Sequence, residues 1–213
     1  NMGGSALVKK NTGLNNIILR NTVVNIFFDN SGSMGTTLAP LQSMVANNLK
    51  SALLPFYDNN ESLYDANVNV RNFQSDGINY INGIYLHENS IVLGGRDMVG
   101  ASNNVINIMF QDEADNRALE EFEGEAGTGT WKGSVQFMKD GLDVKDNNTA
   151  VFFHVTTPGT LHLGWKQTLQ DLQTSLVGTV YEDKTDFNYD ITPGAASTYY
   201  TDLIIEALNR VSS

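Results

Sequence analysis

Asp29, Ser31 and Ser33 stand at alternate positions directly after the apolar run Val23-Val24-Asn25-Ile26-Phe27-Phe28, and Gly32 and Gly35 punctuate the turn. A buried strand that ends this way gathers one carboxylate and two hydroxyls at the carboxyl edge of a sheet. Open α/β folds place their ligands at that edge. Donors that are all oxygen suit a hard divalent cation such as magnesium, calcium or manganese.

Other chemistries find less support. Ser33 lacks the glycine two residues before it that a nucleophile elbow requires, and His87, His154 and His162 lie on unrelated segments. An aspartyl-phosphate enzyme of the haloacid-dehalogenase type would want an aspartate where Ser31 stands. With no base or nucleophile identified, the chain is not expected to be an enzyme. His154 and His162 flank a short loop, but two histidines without a third ligand read as structural residues rather than a zinc site. The runs Asp58-Asn59-Asn60-Glu61 and Asp143 to Asn148 read as turns, since neither has EF-hand spacing. Trp131 and Trp165 read as packing residues.

The elements that must position Asp29 alternate between β and α, the pattern of a layered domain with a mostly parallel sheet. The first strand is Val23 to Phe28. Apolar spacing predicts a helix from Thr36 to Phe56, with Pro40 in its first turn. Strands follow at Ala66 to Phe73 and Val105 to Phe110, with further β structure expected over Tyr80 to Leu93. The Val105 strand runs out into Gln111-Asp112-Glu113-Ala114-Asp115. A helix is expected at Trp131 to Leu142, a core strand at Ala150 to Val155, and a helix at Leu163 to Leu176. A short edge strand near Phe187 to Ile191 and a closing helix at Thr198 to Val211 end the order. The whole is read as one domain over 1–213, with its core over about 20–213, an extension or added strand over 1–19, and a mobile loop over 113–130.

At 213 residues the chain is long enough for a single sizeable core. Its net charge of -11 argues against nucleic acid as a partner, because phosphate binding needs basic patches. The absence of cysteine removes zinc–thiolate and redox chemistry. No apolar run is long enough to span a bilayer, and no signal peptide is apparent at the amino end.

The D-x-S-x-S pattern of Asp29, Ser31 and Ser33 resembles the metal-ion-dependent adhesion site of von Willebrand factor type A (VWA) domains. The resemblance implies a Rossmann-like three-layer α/β/α fold, mostly parallel with one antiparallel edge strand. It implies that Ser31 and Ser33 hold a divalent ion, Mg2+ or else Ca2+ or Mn2+, with Asp29 beside them. Asp112 matches the family's second acidic position, since Ile106 to Asp112 resembles its apolar strand ending in Thr-Asp-Gly. Glu113 stands where the glycine would be, and Glu113 and Asp115 are either further oxygen ligands or a solvated acidic loop.

The family also carries a threonine on a loop before the Asp112 strand. Asn89 to Asn104 holds none, only Ser90, Asp97 and Ser102. Thr128 in Gly127-Thr128-Gly129-Thr130 is the remaining candidate. Pairing that loop with the Val151 to Val155 strand instead is ranked lower, because that strand ends in threonines rather than an aspartate. The implied function is a cation-dependent protein-binding or adhesion module, on a surface or outside the cell, whose partner offers an acidic side chain. The other function class is a structural building block of a surface, secreted or virion assembly with a vestigial metal site.

Overall fold

The computed structural model describes residues 19, 21–29, 34, 41–73, 104–112 and 148–212, and structural statements below concern these. They form five strands: β1 (Thr22–Asp29), β2 (Val68–Phe73), β3 (Asn104–Gln111), β4 (Asn148–Val155) and β5 (Thr185–Ile191). Four helices accompany them: α1 (Gln42–Leu53), α2 (Glu61–Asn67), α3 (Leu161–Leu176) and α4 (Ser197–Ser212). The strands make one sheet in the order β2-β1-β3-β4-β5, and every pairing is parallel.

Parallel strands covered on both faces read as near-continuous apolar runs, and β1 is buried along its whole length. Alternate residues serve opposite layers. Val24, Ile26 and Phe28 of β1, with Ile106, Ile108 and Phe110 of β3, join the core beneath α1 and α4. Phe27, Met109, Ala150 and Phe152 face the other way, onto Trp165, Leu169, Leu172 and Leu176 of α3. Those four α3 residues lie on one helical stripe, and Trp165 is a packing residue as its sequence context predicts.

Element boundaries depart from the sequence expectation where side chains interrupt the backbone pattern. The first helix ends at Leu53 and tightens into a 3-10 turn over Leu54–Tyr57, because Pro55 has no N–H to continue the α ladder. Asp58 and Asn59 then take left-handed backbone conformations (φ 56° and 57°), and the Asn60 side chain accepts from the Leu63 N–H at 3.1 Å. That cap starts α2, which the sequence pattern did not separate from its surroundings, so the next strand begins at Val68 instead of Ala66. Lys50 of α1 reaches Glu61 at 2.9 Å, so this acidic stretch serves as turn, cap and surface ion pair.

The edge strands β2 and β5 both run parallel to their neighbours, and no antiparallel strand occurs among the described residues. The β structure expected over 80–93, the helix over 131–142, the loop over 113–130 and the 1–18 extension lie outside the described residues, as do helix positions 36–40. No described helix is long and apolar enough to cross a membrane.

Candidate metal centre

β1 and β3 are the central strands at which the chain reverses its direction of travel across the sheet. From β1 the chain crosses outward to β2. From β3 it proceeds the other way, through β4 to β5. Loops leaving the carboxyl ends of such a pair diverge to opposite sides and open a crevice between them, which is where doubly wound folds hold ligands.

Asp29 is the last residue of β1, and Asp112 follows the last residue of β3. Their strands are paired with Phe28 beside Phe110, so Asp29 lies level with Gln111 and Asp112 one step beyond. Both aspartates are fully buried. On the α1/α4 face of these strands, one residue before Asp29 and two before Asp112, runs an aromatic seam. Phe28 meets Phe110 edge-on at 5.2 Å, and Phe110 stacks on Phe153 of β4 at 4.4 Å. This apolar seam makes the carboxyl edge a low-dielectric setting, where carboxylates are costly to bury unless positive charge or donors meet them.

One donor to Asp112 comes from a loop that sequence reasoning passed over. Thr157, in the segment leaving β4, donates its hydroxyl to Asp112 Oδ2 at 2.7 Å, and Thr157 is itself 5% exposed. The cue was present in the threonines that end β4. It went unused because the family pattern directs attention to the loop before β3. β4 pairs with β3 on the side away from β1, so its trailing loop reaches Asp112 from that flank.

Four residues below Asp29 on the same face of β1, Asn25 belongs to a ladder of amides. Asn69 of β2 donates to Asn25 Oδ1 at 3.2 Å, and Asn25 Nδ2 donates to Asn107 Oδ1 of β3 at 3.1 Å. The three asparagines are register partners, and Asn25 and Asn107 are fully buried. An interior row of amides that satisfy one another discriminates between strand registers where apolar side chains would not. Slipping β3 by two residues keeps every side chain on its own face, but puts Asn25 beside Val105 or Met109. The ladder therefore fixes the register on which the proximity of Asp29 and Asp112 depends.

His154 and His162 do come together, with 3.4 Å between His162 Nδ1 and His154 Nε2. They form a structural pair. His154 Nδ1 accepts from the Asp190 N–H at 3.1 Å, which leaves the proton on Nε2 to be donated to the His162 carbonyl at 3.1 Å. Both ring nitrogens of His154 are thus engaged by the backbone, and neither offers a lone pair to a metal.

Asp29, Asp112 and Thr157 supply oxygen donors alone, which fits a hard divalent ion and fits zinc or copper poorly. Among the described residues no three histidine, aspartate or glutamate side chains group as a complete ligand set. Ser31, Ser33, Glu113, Asp115 and Thr128 lie outside the described residues. Comparison of the chain with protein-family models, with curated proteins and with solved structures returned no match.

Proposed function

We propose that this chain is a VWA-like, divalent-cation-dependent protein-binding module whose metal centre lies at the carboxyl edge of the sheet, between β1 and β3. The observation that carries this is the pair of buried aspartates, Asp29 and Asp112, ending adjacent central strands at the point where strand order reverses. Ser31 and Ser33 follow Asp29 in a D-x-S-x-S pattern and complete the oxygen donor set. Asp29, Ser31, Ser33 and Asp112 would hold Mg2+, or Ca2+ or Mn2+ in its place. A bound ion at such an edge supplies a Lewis-acidic position that an acidic side chain of a partner protein can fill. Phe28, Phe110 and Phe153 keep water from the α1/α4 side of the site, and the Asn25 ladder keeps it aligned.

Magnesium or manganese is expected to raise the thermal midpoint of the wild-type chain, because a ligand that binds only the folded state stabilises it by mass action. At a free concentration about a hundred times Kd the gain is roughly 2.7 kcal/mol, or about 5 °C or more for a domain of this size. Asp29→Ala should abolish that rise. Differential scanning fluorimetry with and without EDTA reads both results. Identical melting curves for the wild type in metal and in EDTA would remove the metal centre and favour the structural building block.

A further inference from the structure

The pattern that Asp29, Ser31 and Ser33 resemble includes a threonine on the loop before the second acidic strand, and 89–104 has none. The structure brings a threonine hydroxyl to Asp112 from the opposite flank. We propose that Thr157 is the positioning residue for Asp112 in the metal centre, a role that rests on the metal-centre reading above.

Three observations converge on Thr157. Its bond to Asp112 Oδ2 is 2.7 Å, an ordinary, well-formed hydroxyl–carboxylate distance. Both partners are shielded from water, with Asp112 fully buried, so solvent does not compete for that lone pair. The loop that carries Thr157 is also braced at both ends. On its leading side Thr156 N–H donates to the Ile191 carbonyl at 3.1 Å. Across the loop His154 Nε2 donates to the His162 carbonyl at 3.1 Å, tying the end of β4 to the first turn of α3.

A hydroxyl held by such a loop is a fixed donor, with little conformational freedom left to lose when it orients a carboxylate. Thr157 belongs to no strand or helix, and its hydroxyl is committed to Asp112. Donors that orient a ligating carboxylate raise its effectiveness toward the metal, and losing one typically weakens metal binding by about 10- to 100-fold.

The test is isothermal titration of Mg2+ and Mn2+ into the wild type, Thr157→Val and Thr157→Ser, alongside the metal-free melting temperature of each. Thr157→Val is expected to weaken metal binding by about 10- to 100-fold. Thr157→Ser, which keeps the hydroxyl, is expected to stay within a few-fold of the wild type. Where Thr157→Val does not fold, Thr157→Ala removes the same hydroxyl without placing a methyl in its position, and carries the same expectation. Wild-type metal binding that survives unchanged in the Val or Ala variant overturns the role of Thr157 and leaves the metal centre standing. So does a serine variant as weak as the valine one. A wild type that binds neither ion overturns the metal centre, and the role of Thr157 with it.

Discussion

Asn25→Ala is expected to destabilise the protein by about 3 kcal/mol, read as a lower midpoint in urea at unchanged slope. The substitution removes two hydrogen bonds, one to Asn69 and one to Asn107. Each is worth about 1 kcal/mol net. The rest comes from what the substitution leaves behind. Asn107 is fully buried, and its Oδ1 loses a donor that water cannot replace. Asn69 is half-buried and can recover a partner from solvent, so the cost falls mainly on the β1–β3 side.

Asn107→Ala and the double variant complete a cycle, and a coupling energy of about 1–2 kcal/mol is expected between directly bonded side chains. A single-variant loss below about 0.5 kcal/mol, or a cycle that is simply additive, would show that the ladder does not hold the two strands in register. Because that register sets Asp29 level with Gln111, one step short of Asp112, Asn25→Ala should also weaken any metal-dependent rise in melting temperature, although Asn25 is no ligand.

Acid is expected to destabilise the fold through His154 by an amount on the order of 3 kcal/mol between pH 6.5 and pH 4. Burial pushes the His154 imidazole down from 6.5 to about 4, against the opposing influence of the His162 carbonyl and the Asp190 carboxylate. The surroundings explain why the neutral ring is required. Asp190 N–H and Tyr189 of β5, His162 and Lys166 of α3, and Gln111, its register partner on β3, meet or adjoin it. Lys166 Nζ is committed to Asp190 at 2.9 Å, so that carboxylate already has its cation. A proton on Nδ1 would face the Asp190 N–H that now donates to it.

Between pH 4 and 6.5 the unfolded chain binds the proton and the folded chain does not, so stability rises with pH across that window. It is fully present above pH 6.5 and lost as pH falls to about 4. Carboxylates elsewhere also titrate near the bottom of this range, so the useful quantity is the difference between the wild type and His154→Gln. That difference, from urea unfolding at pH 7.5, 6.5, 5.5 and 4.5, should shrink by about 2–3 kcal/mol as the solution is acidified. Parallel profiles for the two proteins would show that His154 is not the titrating group.

Strands β1, β3 and β4 and helices α3 and α4 were legible in the sequence, because each carries enough apolar residues at one period to define its buried face. The strand ends at Asp29 and Asp112 were legible for the same reason: a carboxylate after a long apolar run marks where the run of apolar side chains ends, although both carboxylates are themselves buried. α2 was not, since seven residues hold too little periodicity to stand apart from the polar turn before them, and its cap is a single side chain, Asn60. Asn25 and Asn107 read only as interruptions in apolar runs. Nothing in either strand alone shows that each amide meets another across the sheet.

Local order along the chain determined which residues end strands and which faces are apolar, because these depend on neighbours two to four residues away. The tertiary structure alone decided what those ends meet. Asp29 and Asp112 are 83 residues apart in sequence, and their adjacency depends on the order β2-β1-β3-β4-β5 and on a register selected by buried amides. Thr157 reaches Asp112 across 45 residues because β4 pairs with β3 and carries its trailing loop over that strand's end. Spacing in sequence encodes the period of one element. Contact between elements is set by the few hydrogen bonds and packed rings that only one arrangement of the sheet can satisfy.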